Sequence, residues 1–324
     1  MATIAQNVLT ILEQAKRQYN GEVQKIAEIL DEINEIFASM WAREANDKHS
    51  HVVTVRGALP TINPRGPNEG ADSNVSKVRQ IREGMMILDS FVQIDQLILG
   101  PEKNKEEFVM TEIKAHLEAT MQAFGKNFVY GNMADDPRTI NGLATRYGAL
   151  ALANVYGGGK AGGNGTSVWM VETGPDAAYL VYPQNSTAGI KRDSHGWQTL
   201  YDGSGKPFRG WEEQVQLGIG LAIADDTCVQ RLANVDPAGG TNGLDGAGKI
   251  NNLVKMRNNL RRMGKQAVIF MNRTTKAQAD IWALDKGNAY FTMETLQNGS
   301  VQTRFQGIPI RMLEQIADTE AQVS

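Results

Sequence analysis

"YGGGKAGGNGTSV", residues 156–168, contains a G-x-G-x-x-G at Gly157, Gly159 and Gly162. Whether this run cradles a pyrophosphate decides between a doubly wound nucleotide-binding fold and something else. The dinucleotide fingerprint needs a strand before its first glycine and a helix opening at its last. The helix N-terminus supplies the amides and the dipole that hold the phosphates. Here the run passes into "GNGTSVWMVET", which is β-like, and no helix signal follows. A P-loop fails as well, because Lys160 is followed by Ala161 rather than Ser or Thr. The run reads as a slack connector.

Outward from it, the composition is that of an ordinary globular protein. The 324 residues allow two domains, or one large domain with insertions. With 41% hydrophobic and 21% charged residues, the chain can bury a sizeable core without a disulfide or metal staple. A net charge of -3 argues against a dedicated nucleic-acid binder, while leaving room for a protein that encloses nucleic acid without gripping it. Cys228 stands alone, so it reads as a buried inert thiol. The first residues lack a basic region followed by an apolar run, and no stretch approaches a membrane span. The expectation is synthesis in the cytosol and no membrane.

Residues 3–18 and 21–43 read as amphipathic helices separated at Gly21. In the second, Ile26, Ile29, Leu30, Ile33, Ile36, Phe37 and Met40 form a stripe that the chain's own body or a neighbouring subunit must cover. "HVVTVRGAL", 51–59, alternates as a strand does. "PTINPRGPNEGADSN", 60–74, holds three prolines and two glycines and forbids helix and ladder alike. In 75–95, Val75, Val78 and Ile81 fit a helix, whereas "ILDSFVQI" fits a strand. The simplest reading is a long two-stranded excursion with a floppy tip, carrying Arg56, Arg65, Lys77, Arg79 and Arg82. Too basic and too poor in large apolar residues to bury itself, it must lie in water or on another molecule.

The strongest helix spans Asn104 to Phe124, with Asn104 as cap, Glu107 as capping-box partner and Gly125 as its close. Val109, Ile113, Leu117, Met121 and Phe124 make its buried face, and Glu102, Glu106 and Glu107 crowd its first turn. From 142 to 235 come short β-like pieces, ending in "QVQLGIGLAIADDTCVQRLANV". A second glycine-rich connector, 236–249, precedes a helix at 250–263, a strand "QAVIFMN" and a helix "TTKAQADIWALDK".

No catalytic set assembles. His49 and His51 could reach one metal, but no further ligand lies at the right spacing, and His116 and His195 stand apart. "DGSGK", 202–206, is a turn rather than a nucleophile elbow, and the pairs Asp135–Asp136 and Asp225–Asp226 diverge. No catalytic, cofactor or metal site is expected.

This combination resembles the major capsid proteins of tailed double-stranded DNA bacteriophages, particularly short-tailed ones. The stretches that carry the resemblance are "LPTINPRGPNEG" (59–70), "NFVYGN" (127–132), "INGLATRYG" (140–148), "VIFMNRTTKAQADIWALDK" (268–286) and "FQGIPIR" (305–311). Pro64 stands where an aromatic is often found before the hairpin arginine. The resemblance implies an α+β shell fold of the Hong Kong phage 97 type. Residues 1–49 would be an N-terminal arm, 50–94 an extended loop, and 95–141 a peripheral domain with a spine helix, rejoined by 296–324. Residues 142–295 would form an axial domain with a β-rich insertion.

The implied function is mechanical: subunits form pentamers and hexamers that close an icosahedral phage head around double-stranded DNA. Scaffolding, portal and decoration proteins are further partners the resemblance implies. Arg65 and Asn68 are carried over as loop-tip positions. Arg56, Lys77 and Arg79, with Glu102, Glu106 and Glu107 as their acidic counterparts, complete the candidate inter-subunit contacts. An encapsulin-like compartment is the alternative within the fold. A nucleotide-dependent enzyme using the 157–162 loop and a non-assembling β-rich binding module are the alternatives outside it. The first of these is tested simply: thermal melts with and without millimolar NAD or ATP should superimpose, and a saturable rise in melting temperature would restore the enzyme reading.

Overall fold

The computed structural model describes residues 35–324 apart from 49, 71–72, 101–104, 185, 187–188, 245–248, 285–289 and 296–300. The expected helix at 3–18 and most of that at 21–43 lie outside the described residues. What is described of the second is a short α1 (Glu35–Ser39), followed by strand β1 (Ala42–Glu44). Ile36 and Met40 are buried, and the Phe37 ring packs 5.0 Å from that of Phe124. This part of the stripe is therefore covered by the chain's own body.

Two sheets carry the fold. The first has the strand order β1-β6-β8-β3-β2, built from β2 (Ser50–Ala58), β3 (Lys77–Asp95), β6 (Ala178–Tyr182) and β8 (Pro207–Ile223), with β7 (Ile190–Tyr201) paired to β8. The second has the order β11-β12-β13-β10-β5-β9-β4. Its members are β4 (Val155–Gly157), β5 (Thr166–Glu172), β9 (Val229–Val235), β10 (Ala267–Met271), β11 (Phe291–Thr295), β12 (Val301–Phe305) and β13 (Ile308–Met312). Three of these, β5, β9 and β10, are buried along their whole length, as strands covered on both faces must be.

Helix α2 (Gln96–Leu99) is a single turn capped by the Asp95 carboxylate. The long helix α3 (Lys105–Tyr130) runs past the expected end. Gly125 does not close it, because the glycine is there for close approach: a Cβ would stand 2.8 Å from the Gln315 side chain. One face of α3 buries Val109, Ile113, Met121, Phe124, Phe128 and Val129, as the expected periodicity requires. Its first half packs on Val92, Ile94 and Val215 of the first sheet. Its second half sits between the sheets, where Phe124, Phe128 and Phe270 form a ladder of rings at 6.0 Å spacings. The opposite face of the second sheet is covered by α5 (Lys249–Asn259) and α6 (Arg273–Leu284), after the short α4 (Leu143–Arg146).

"QVQLGIGLAIADDTCVQRLANV" is not one element. The Asp225 carboxylate caps a single 3-10 turn over Asp226–Cys228, which ends β8 in one sheet and starts β9 in the other. Cys228 is buried there, and burial pushes its thiol up to about 12, so it is inert.

Beneath the ladder lies a buried charged network. The Arg231 guanidinium donates to Ser167 Oγ (3.0 Å), to the Tyr147 carbonyl (2.8 Å) and to Glu320 Oε2 (3.0 Å), and lies 4.8 Å from the Trp169 ring centre. Glu320 also accepts from the Ser167 hydroxyl and from the Tyr130 hydroxyl, the latter at 2.6 Å. Burial, then the Glu320 charge beside it, pushes the Tyr130 phenol far up. Nearby, Asn234 exchanges two hydrogen bonds with the Val323 backbone. A buried pair is costly to halve, because the remaining charge has no water to turn to. Arg231→Met should therefore lower the unfolding free energy of the subunit by about 3–5 kcal/mol, read by chemical denaturation. A loss under about 1 kcal/mol, the range of an exposed pair, would contradict this reading.

Candidate assembly surface

The basic hairpin leaves the body at the pair Ser50↔Gly84 and runs to Ala58↔Lys77, with a register shift at Arg56/Ala58. Beyond Gly84, β3 changes partner and pairs with β8 from Met85↔Gly220 to Asp95↔Gly210. The 75–95 ambiguity thus resolves as strand from Lys77 onward. Periodicity failed there because Lys77–Gln80 of β3 are exposed at every position and so carry no buried face to pattern.

Arg65 and Asn68 both sit at the tip and are exposed. The described part of the tip is turned on itself. Gly66 N–H donates to Glu69 Oε2 at 2.9 Å, Asn68 adopts a φ of 69°, and Asn74 Nδ2 donates to the Thr61 carbonyl at 2.8 Å. Asparagine accepts that left-handed conformation more readily than other side chains do. Around this turn stand exposed apolar residues, Leu59, Ile62, Val75 and Val78, with Ile62 at 87%. Lys77 and Arg79 are exposed on the ribbon, and Arg56 belongs to β2.

The root is bolted. Arg146 of α4 holds Glu83 of β3 in a two-pronged ion pair, 2.8 and 2.6 Å. Asn46 pairs with both backbone groups of Val52, extending the ladder with a side chain. His51 is buried; its Nδ1 accepts from Asn46 N–H (3.2 Å), which leaves Nε2–H to donate to Tyr179 Oη (2.9 Å). Burial, then the Arg43 charge, holds this imidazole below its ordinary 6.5. His51 is thus a packed residue.

Of the expected acidic counterparts, Glu106 is exposed in the first turn of α3, and Glu107 lies beside it. Glu102 lies outside the described residues. No described contact joins these glutamates to the hairpin within one subunit. None of the motifs marked the bolts at the root, where Glu83 stands opposite His51 in the β2–β3 pairing.

The glycine run is not slack. Gly158 and Lys160 N–H groups donate to the carbonyls of Ala233 and Asn234, and Gly162 N–H donates to Gln322 Oε1. Lys160 Nζ is 2.8 Å from Asp236 Oδ2. The amides and the amine that a phosphate would need are engaged inside the chain, and β5, not a helix, follows. Among the described residues no group of three or more metal-ligating side chains occurs, and no helix is long and apolar enough to cross a membrane. An open groove of about 750 Å³ runs between α3 and the C-terminal segment, lined by Ala119, Lys126, Tyr130, Gln315 and Glu320.

Comparison with known proteins agrees with this architecture. Among curated proteins nothing is significantly similar to the chain. A chain of the near-atomic structure of bacteriophage Epsilon15 is 21% identical over 100% of this chain and 99% of its own, with a TM-score of 0.63. The bacteriophage JBD30 capsid is 12% identical over 87% of this chain and 90% of its own (TM-score 0.45). The SrpI encapsulin of Synechococcus elongatus is 10% identical over 70% and 96% (TM-score 0.40). The fold is the α+β shell fold of the Hong Kong phage 97 type. The family model of the major capsid protein GP7 matches residues 18–324. The chain belongs to the major capsid protein GP7 family and is a structural subunit of a bacteriophage capsid shell.

Proposed function

We propose that copies of this subunit join as pentamers and hexamers into an icosahedral head around double-stranded DNA, with the basic hairpin lying across a neighbouring subunit. The observation that carries the second part is the isolation of the hairpin's outer half: beyond Ser50↔Gly84 its strands pair only with each other, and although Val53 packs on the body near the root, Leu59, Ile62, Val75 and Val78 farther out stay in solvent. A lone two-stranded ribbon is marginal in water and gains most by lying on another surface. Residues 1–49 act as the arm, 50–94 as the extended loop, 95–141 with 296–324 as the peripheral domain, and 142–295 as the axial domain. Arg56, Arg65, Asn68, Lys77 and Arg79 are the hairpin's contacts, and Glu102, Glu106 and Glu107 their counterparts on the neighbour. Assembly takes place in the host cytoplasm, with scaffolding, portal and decoration proteins as further partners. The acidic chain suits a container, since a wall that gripped DNA would hinder its entry and exit.

Shortening the tip across residues 61–72 should leave the subunit soluble and cooperative in melting while abolishing stable shells, read by sedimentation and negative-stain microscopy. Arg65→Glu should act the same way, more weakly, because one exposed pair is worth at most about 1 kcal/mol before repetition around a ring. Normal shells from the shortened variant would show that the hairpin does not bridge subunits.

The root adds a pH dependence. His51 faces Tyr179, Arg43 and Glu83. Its folded pKa is depressed, so the unfolded form takes up the proton first as pH falls. The stability that neutral His51 contributes is whole above 6.5 and is lost as pH drops through the folded value. The protection of the Val52 and Val53 amides against hydrogen exchange, taken relative to the intrinsic rate at each pH, should fall over that window, and much less so in His51→Gln. An equal fall in both proteins would remove His51 as the cause.

A further inference from the structure

From Gly246 to Ala279 the chain carries eight Lys or Arg and no Asp or Glu, within a net charge of -3. Two of the eight, Arg273 and Lys276, belong to α6 and pair with Glu314 and Asp280. The other six lie on α5 and the turn after it, between Lys249 and Lys265. Asp225 stands 3.8 Å from Arg261, and Glu172 stands 3.7 Å from Arg262. Arg257 meets the neutral Gln306. Lys249, Lys255 and Lys265 have no carboxylate partner among the described residues. The helix dipole favours a cation in the last turn, which accounts for Arg257. It does not account for Lys255 in the middle of α5 or for Lys265 beyond its end.

The surface around these charges is polar throughout. α5 buries Leu253 and Met256 against the second sheet and turns Asn251, Lys255 and Asn258 outward, at i, i+4 and i+7. Beyond the helix end Arg261 and Lys265 are exposed, and Met263 is the one large apolar side chain exposed in the stretch. A protein-binding surface has an apolar or aromatic centre and is poor in lysine. Contacts to phosphate are made by lysine, arginine and asparagine and need no such centre. The hairpin is basic too, but it sets Leu59, Ile62, Val75 and Val78 beside its charges. The two basic surfaces therefore suit different partners, the hairpin a protein and α5 a polyanion.

We propose that the exposed face of α5, with the turn to Lys265, contacts the phosphates of double-stranded DNA inside the shell without reading its sequence. The proposal rests on the shell-subunit reading for which polyanion lies against it. So few contacts hold a duplex weakly at physiological salt, which leaves DNA free to move past the wall.

Fluorescence anisotropy of a labelled duplex of random sequence, titrated with unassembled full-length subunit, tests this. Between about 50 and 200 mM salt the logarithm of the binding constant should fall linearly with that of the salt concentration, by about 0.9 per phosphate contacted. Lys255→Gln and Lys265→Gln should each make that slope shallower by about 0.9, and Lys255→Arg should keep it. Both lysines are exposed, so the variants should melt as the wild type does, and either one serves if the other misfolds. Lys77→Gln and Arg79→Gln on the hairpin should leave the slope unchanged. Polyglutamate at equal charge should displace the duplex far less well than unlabelled DNA, and closed shells should not bind duplex added from outside. Four results would each overturn the phosphate face while leaving the shell reading intact. They are no saturable binding at the lowest salt, a slope that answers to the hairpin variants alone, displacement by polyglutamate as efficient as by DNA, and closed shells that bind outside duplex through Lys255. A wild type that forms no shell under any condition would overturn the shell reading, and with it the identity of the polyanion.

Discussion

The rest of the subunit hangs on one buried ion pair, Arg231 with Glu320. Arg231 belongs to the fully buried strand β9, and Glu320 to the last few residues of the chain. Between them the two side chains engage the end of the long helix through Tyr130, the segment after α4 through the Tyr147 carbonyl, and strand β5 through Ser167. Each donor faces an acceptor, and Trp169 covers the guanidinium. A charge in this position is tolerable only because every prong is met. The constraint reaches backward through the sequence. The long helix must continue past Gly125 so that Tyr130 arrives, and Val323 must be buried, where Asn234 clamps its backbone.

Around that fixed centre the first sheet works as a beam. β3 and β8 are 19 and 17 residues long and overlap by only part of their length. The unshared part of β3 carries the basic hairpin from one end. The unshared start of β8 pairs with β7 and leads to the Asp202-capped turn at the other. Overhang at both ends follows from the register, which pairs only Met85–Asp95 with Gly210–Gly220, and it sends two arms out from opposite ends of the pair. Glu83, His51 and Asn46 then stiffen the root of one arm, so its angle to the body is set by buried bonds while its tip stays free of the core.

Much of this was legible in residues. The periodicity of Val109, Ile113, Leu117, Met121 and Phe124 fixes the face of the long helix, because a helix over a sheet must repeat its apolar positions. The prolines and glycines of 60–74 exclude ladder and helix, and the tip forms neither. What was hidden is tertiary. Gly125 looks like a stop because glycine usually caps, and only the approach of Gln315 from 190 residues away explains it. A β-like stretch such as "LGIGLAIADDTCVQRLANV" cannot declare that its middle crosses from one sheet to another. The clue is one Asp whose side chain caps a turn. The network of Arg231 has no local pattern at all, since its partners are scattered from residue 130 to 320.

The glycine run shows why motif and geometry part company. In a phosphate loop, glycines let the backbone approach a ligand. Here they let it approach another strand: a Cβ on Gly158 would lie 2.4 Å from the Asn234 carbonyl oxygen. The same freedom serves both ends, and only the direction of the amides tells them apart. Once those amides are turned inward, the loop braces β4 from within.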